Sequence, residues 1–133
     1  MEADTAAAFI YFDHQNSCLF VVKTALDLTI AWSTKTCFSS TNTEGKYLTK
    51  DPSEQTLYLA SDYQDTHFFI CKVQASDGSM PYCASLDGDA ADYPFYLKVI
   101  GNYLLVQGSS ESSEFKRIGD QWGHFVLWIN KDL

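Results

Sequence analysis

Lys46-Tyr47-Leu48-Thr49, Thr56-Leu57-Tyr58-Leu59-Ala60, His67-Phe68-Phe69-Ile70-Cys71-Lys72-Val73 and Pro81-Tyr82-Cys83-Ala84-Ser85 follow one another with turn chemistry between them. The runs are too short for helices and carry no apolar stripe of period 3.6. Tyr, Phe, Val, Ile and Thr dominate them, and these residue types fit a pleated, half-buried surface. Asp51-Pro52-Ser53-Glu54 and Ser76-Asp77-Gly78-Ser79 supply breaks. The reading is four β-strands in succession, and the rest of the chain follows the same rule.

Toward the N-terminus, strands are expected at Phe9–Phe12, Cys18–Val22, Leu28–Trp32 and Cys37–Ser39. Toward the C-terminus they are expected at Phe95–Ile100, Tyr103–Gln107, Glu114–Ile118 and His124–Ile129. The only candidate helix is a turn around Leu86–Asp92. About twelve strands therefore fall into three quartets, and Phe38, Tyr82 and Val126, each in the fourth strand, stand 44 residues apart. Four strands per repeat at that period suit a propeller blade or a β-trefoil. Three blades are too few to close a propeller. The expected fold is all-β, a β-trefoil in one domain over 1–133, with repeats at roughly 9–44, 45–92 and 93–133.

The alternative is an immunoglobulin-like β-sandwich. Asp65-Thr66-His67-Phe68-Phe69-Ile70-Cys71 resembles the approach to that fold's second cysteine, and Cys18 followed by Trp32 resembles its first cysteine and core tryptophan. Against it, the chain continues its four-strand pattern for 62 residues beyond Cys71.

A chain of 133 residues is one ordinary domain, and 46% hydrophobic residues are enough to fill its core. Seventeen acids against nine bases give a net charge of −8, which repels phosphate and argues against nucleic acid or an anionic membrane as partner. No apolar stretch is long enough for a transmembrane helix, so no membrane insertion is expected. Glu2 and Asp4 stand where a secretory signal needs a basic start. That places synthesis in the cytoplasm without a signal peptide, with release by a leaderless route as the way out. Cys18, Cys37, Cys71 and Cys83 lack the paired spacing of a zinc knuckle. Each sits beside apolar residues and reads as a buried free thiol. Two bridges, in one of three connectivities, are the alternative.

Catalytic signatures are missing. There is no nucleophile elbow and no glycine-rich phosphate loop after a strand, so the chain is not expected to be an enzyme and no cofactor is called for. His14, His67 and His124 have no partner at ligand spacing. Asp87, Asp89 and Asp92 put three carboxylates in six residues, yet the calcium-loop order of an EF-hand is not present. They read as a solvated acidic loop forming part of a partner-binding face, with no metal. Ser109-Ser110-Glu111-Ser112-Ser113-Glu114 reads as a polar, mobile hairpin tip. Trp122, in the turn Gly119-Asp120-Gln121-Trp122-Gly123, is the best single candidate for a binding anchor, because a large aromatic is costly to leave wet. Packing across a barrel mouth is the other role for it, and Tyr63 invites the same two readings.

Phe9-Ile10-Tyr11-Phe12-Asp13-His14-Gln15-Asn16-Ser17-Cys18-Leu19-Phe20-Val21 resembles the opening hairpin of the interleukin-1 family of leaderless cytokines. Tyr47-Leu48 through Thr56-Leu57-Tyr58-Leu59 to Phe68-Phe69-Ile70 is similar to that family's central repeat. Cys83-Ala84-Ser85-Leu86 and Pro94-Phe95-Tyr96-Leu97 resemble the two halves of its late signature, separated here by Asp87–Tyr93. The resemblance implies a trefoil whose loops engage a protein receptor. It places no receptor contact residue by residue, and the oligomeric state is not legible. Two other binding roles are open. One is a lectin, with Trp122 stacked on a sugar. The other is a fascin-like cytoskeletal or scaffold module, suggested by Gly45-Lys46-Tyr47-Leu48.

Overall fold

In the computed structural model, residues 7–13, 15–16, 18–37, 47–63, 67–114, 119 and 121–132 are described, the side chains of Tyr63, Leu86 and Asp87 excepted. Ten strands run through them: β1 (Ala7–Asp13), β2 (Cys18–Thr24), β3 (Ile30–Cys37), β4 (Tyr47–Lys50), β5 (Thr56–Tyr63), β6 (His67–Gln74), β7 (Tyr82–Asp87), β8 (Asp92–Ile100), β9 (Tyr103–Ser110) and β10 (Gly123–Asn130). The all-β expectation holds. They form three antiparallel meanders, β1-β2-β3, β4-β5-β6-β7 and β8-β9-β10. Each is drawn from one third of the chain.

The expected strand pattern needs three corrections. Leu28–Trp32 and Cys37–Ser39 do not form two strands over the described residues; Ile30–Cys37 is one strand, with Thr34 and Thr36 on the half-buried side. Glu114 lies in a turn, and the rest of that expected strand, 115–118, lies outside the described residues, as do Phe38 and Ser39. The turn at Leu86–Asp92 has no helix; it ends β7, bends at Asp89-Ala90 and opens β8.

The side-chain period of two decides how the sheets stack. On one face of the middle sheet, Leu57, Leu59, Cys71 and Val73 pack against Phe12, Leu19 and Val21 of the first sheet. On the opposite face, Tyr58, Ala60, Phe68 and Ile70 pack against Leu97, Leu104, Val106 and Phe125 of the third. β5 and β6 are thus buried on both sides, as their continuous apolar runs require. The described residues form three layers with two cores. Their strand pairings all lie within a sheet, and the sheets meet face to face.

The cysteines correct the free-thiol reading. Cys18 is bonded to Cys37 and Cys71 to Cys83, leaving no free thiol. In both cases the residues stand directly opposite on neighbouring strands, Cys18 against Cys37 on β2–β3 and Cys71 against Cys83 on β6–β7. An immunoglobulin-type bridge would instead join Cys18 to Cys71 between sheets, and it is not formed.

Much of the acidity goes into turns. Asp13, Asp27, Asp51 and Asp77 each accept the backbone N–H two residues on, from Gln15, Thr29, Ser53 and Ser79, at 2.8–3.0 Å. These are Asx turns, in which a short carboxylate imitates a backbone carbonyl. The Asn16 side-chain amide at Asp13, the Thr29 hydroxyl at Asp27 and the Ser79 backbone N–H at Asp77 are the main causes that hold these carboxyls below their usual range.

Asp51 does more. Its buried carboxylate also accepts from Lys131 Nζ at 2.7 Å, and Glu54 takes a second bond from the same ammonium at 2.9 Å. Tyr58 donates its hydroxyl to Lys131 O. The C-terminal end is thereby clipped to the β4–β5 turn. Lys131 is the main cause of lowering the Asp51 carboxyl to about 2, against an ordinary value of 3.8. A carboxyl with a depressed folded value contributes stability that is complete above the unfolded value and disappears as pH falls through the folded one. The expected result is a contribution intact above about pH 4 and lost toward pH 2. Urea midpoints of the parent and Asp51→Asn should differ most at pH 7 and converge by pH 2; a constant difference would exclude the clip as its source.

Candidate functional site

β8, β9 and β10 pair in a register that sets four rows across the sheet's outer face: Tyr93–Ser109–His124, Tyr96–Gln107–Val126, Lys98–Leu105–Trp128 and Ile100–Tyr103–Asn130. The alternating residues Leu104, Val106 and Phe125 point into the core, which leaves these rows outside. Tyr96, Ile100, Tyr103, Val126 and Trp128 are all exposed, Trp128 to 58%. Lys98 carries the single formal charge of the four rows, with His124 neutral.

Aromatic rings pair across this surface. Trp128 meets Tyr103 edge-on at 6.4 Å, Phe95 meets His124 edge-on at 6.4 Å, and Trp122 leans on Tyr93 at 5.7 Å. Phe95 is there because the strand slips register between Pro94 and Tyr96. A bulge of this kind turns out an extra side chain and gives a proline a place in an edge strand. Trp122 is 47% exposed at the entrance to β10.

The acidic stretch lies at one end of this face, with Asp89 exposed and Asp92 buried. Asp92 is 1% exposed. Its Oδ1 accepts from Ser110 Oγ, and Ser112 Oγ lies 3.1 Å away. Ser113 donates to Asp89 through both its N–H, at 2.8 Å, and its hydroxyl, at 2.6 Å. Glu111 N bonds to Ala91 O, and Ala90 N to Ser112 Oγ. The Ser109–Glu114 stretch is accordingly a docked, half-buried segment with Ser110 and Ser112 fully covered. The two polar loops that the sequence kept apart bind each other. A Cβ on Gly88 would overlap Ser112 Oγ and Asp92 Oδ2, so the close approach requires a glycine there.

Of the sequence candidates, Trp122 stands on the aromatic surface. Asp92 and Asp89 sit below and beside it, their carboxylates occupied by serines, so they position the β8 end that carries Tyr93. Asp87 ends β7 and Tyr63 ends β5, both opposite His67 in the last row of the middle sheet. Their side chains lie outside the described residues, as do His14 and the Gly45-Lys46 of the scaffold-like motif. Sequence reasoning missed Trp128, Tyr103, Tyr96 and Phe95. It also missed a second apolar prominence, the β2–β3 turn, where Leu26 and Leu28 are exposed and Leu28 adopts φ 66°, a conformation uncommon for a residue without a short polar side chain.

No family model, no curated protein and no solved structure matches this chain.

Proposed function

We propose that this chain is a non-catalytic binding protein, a cytokine-like ligand that engages a protein receptor through the outer face of β8–β10 and the adjoining Trp122 turn. The observation that carries the reading is the composition of that face. Trp122, Trp128, Tyr103, Tyr96 and Phe95 are exposed together on one sheet with Lys98 as its one formal charge. The cores of protein interfaces are enriched in aromatic residues and depleted in charged ones, and binding energy concentrates on Trp and Tyr anchors. Val126, Leu105 and Ile100 among them favour a protein surface over a sugar. The β-trefoil is the competing arrangement: three consecutive meanders support its threefold division, but closing its six-strand barrel would require pairing between sheets that the described residues do not make. Two disulfides support a working life outside the reducing cytosol.

A lectin is the second reading, favoured by the exposed rings of Trp122 and Trp128 with the Gln107 and Asn130 amides in the rows on either side of Trp128. The test is binding of labelled protein to cells before and after mild protease treatment, run beside a glycan array. Saturable binding that protease removes, weakened about thirtyfold by Trp128→Ala and also reduced by Trp122→Ala, is the expected result. Array signal lost in the same variants moves the protein to the lectin class. Saturable binding indifferent to both substitutions overturns the surface assignment.

A further inference from the structure

β10 pairs with β9 on one side only, and among the described residues no other strand brings its backbone within 8 Å of it. An edge strand presents a row of unpaired N–H and C=O groups, which natural proteins blunt with charges, prolines, bulges or shortness. The opposite edge of the same sheet is blunted: β8 carries Asp92, Pro94 and Lys98 and slips register between Pro94 and Tyr96. β10 is not. Gly123-His124-Phe125-Val126-Leu127-Trp128-Ile129-Asn130 has no formal charge with His124 neutral, no proline, and no register slip against β9.

One hydrogen bond fixes the phase of that edge. Lys131 N donates to Asn102 O at 3.0 Å, one position beyond the Asn130–Tyr103 pair. Backbone polar groups turn to alternate sides along an antiparallel strand. Phe125, Leu127 and Ile129 therefore turn theirs toward β9, as Lys131 does, while His124, Val126, Trp128 and Asn130 turn theirs to the open edge. The side chains of the same four residues are all exposed on the outer face. On the core side, Leu127 and Ile129 are only half-buried.

We infer that two copies of this chain pair antiparallel along β10, about a two-fold axis at Leu127, and join their third sheets into one. In this register Val126 stands opposite the second copy's Trp128 and His124 opposite its Asn130, so every outward N–H of each copy meets a carbonyl of the other. A shift of one residue would set outer-face side chains against core-facing ones, and a shift of two would leave one end of each edge unpaired. On the outer face the seam is crossed twice by an aromatic against a β-branched residue, a favourable cross-strand pair. On the core side Leu127 meets its counterpart and Phe125 meets Ile129, and no formal charge enters the seam. Because both copies use the same edge, the assembly closes at two, with the blunted β8 edges outermost. The two aromatic faces become one continuous surface, so the pairing goes beyond the receptor reading and does not depend on it.

The experiment is sedimentation velocity of the full chain from micromolar to millimolar concentration at physiological salt, where a species of twice the chain's mass should grow with concentration. Val126→Pro removes an outward N–H, which an edge strand tolerates. It should raise the dissociation constant about thirtyfold or more, since each copy loses one donor to the seam. Val126→Lys, at an exposed position, should weaken the pair with the backbone bonds to β9 intact. Tyr96→Lys, on β8 of the same face, should leave the pair unchanged. Under mild oxidation Leu127→Cys should give a covalent dimer, and Ile129→Cys, equally half-buried, should not, because its counterpart stands four residues along the seam. A monomer throughout the range, a dimer indifferent to both Val126 substitutions, a dimer lost in Tyr96→Lys, or equal crosslinking through Ile129→Cys would each overturn the assignment.

Discussion

Reducing both disulfides is expected to remove about 5 kcal/mol of stability, with each bond accounting for roughly 2–3 kcal/mol. The bonds close loops over sequence separations of 12 and 19 residues, so the chain-entropy contribution of each is at the short-loop end of the range. Their placement makes the loss structural as well. Cys18–Cys37 ties the middle strand of the first sheet to β3, and Cys71–Cys83 ties β6 to β7, a strand with six paired positions and an exposed tyrosine. A domain of this size has only about 5–15 kcal/mol in total, so the reduced chain should stand near its unfolding threshold. Urea unfolding with and without a phosphine reductant measures the difference. Cys37→Ser and Cys83→Ser, which remove the exposed partner of each pair, apportion it. Iodoacetamide should label the native chain only after reduction. Coincident unfolding curves, or four thiols labelled without reductant, would restore the free-thiol reading.

The sequence misled on those thiols for a definable reason. Apolar neighbours describe where a cysteine is buried, whereas pairing depends on cross-strand register, and spacings of 19 and 12 do not reveal which residues stand opposite. β4–β7 were legible because Asp51-Pro52 and Asp77-Gly78 punctuate runs whose apolar residues fall in both phases. β3 was not, because Ser33-Thr34-Lys35-Thr36 looks like a break until the half-buried threonines are seen to alternate with the exposed serine and lysine. The start of β8 was hidden by Asp92 and Pro94, an acid and an imino acid that a strand accommodates only with a serine cage and a bulge. Trp122 could be singled out because a bulky ring in a glycine-rich turn is anomalous. Trp128 and Tyr103 could not, since they alternate normally within strands. The usable signal was Phe125-Val126-Leu127-Trp128-Ile129, apolar in both phases like β5 and β6. The middle sheet has a neighbour on each side to justify that pattern, while β10 has a core on one side and an exposed aromatic surface on the other. The surplus apolar phase of β10 is what the binding proposal explains.

Phe68→Ala should destabilise the protein by about 3–5 kcal/mol. Phe68 is fully buried on the middle sheet and stacks on Phe125 of the third at 5.4 Å, with the rings within 10° of parallel. Its removal opens a void between two sheets that can close only by moving one of them. Because the middle sheet separates the two cores, truncations on its opposite sides should be energetically independent. Val21→Ala on the first sheet and Val106→Ala on the third should each lose about 2 kcal/mol. Sheets pack about 10 Å apart, which puts the backbones at these two positions roughly 20 Å from each other with the middle sheet between the side chains. At that separation the double variant should equal the sum of the singles within about 0.5 kcal/mol. Three layers and a closed barrel differ on this point. In a six-strand barrel, Val21 and Val106 would line one interior and share neighbours, and a coupling of 1 kcal/mol or more would be expected. Urea unfolding of the four-protein cycle therefore decides whether the three meanders enclose two cores or one.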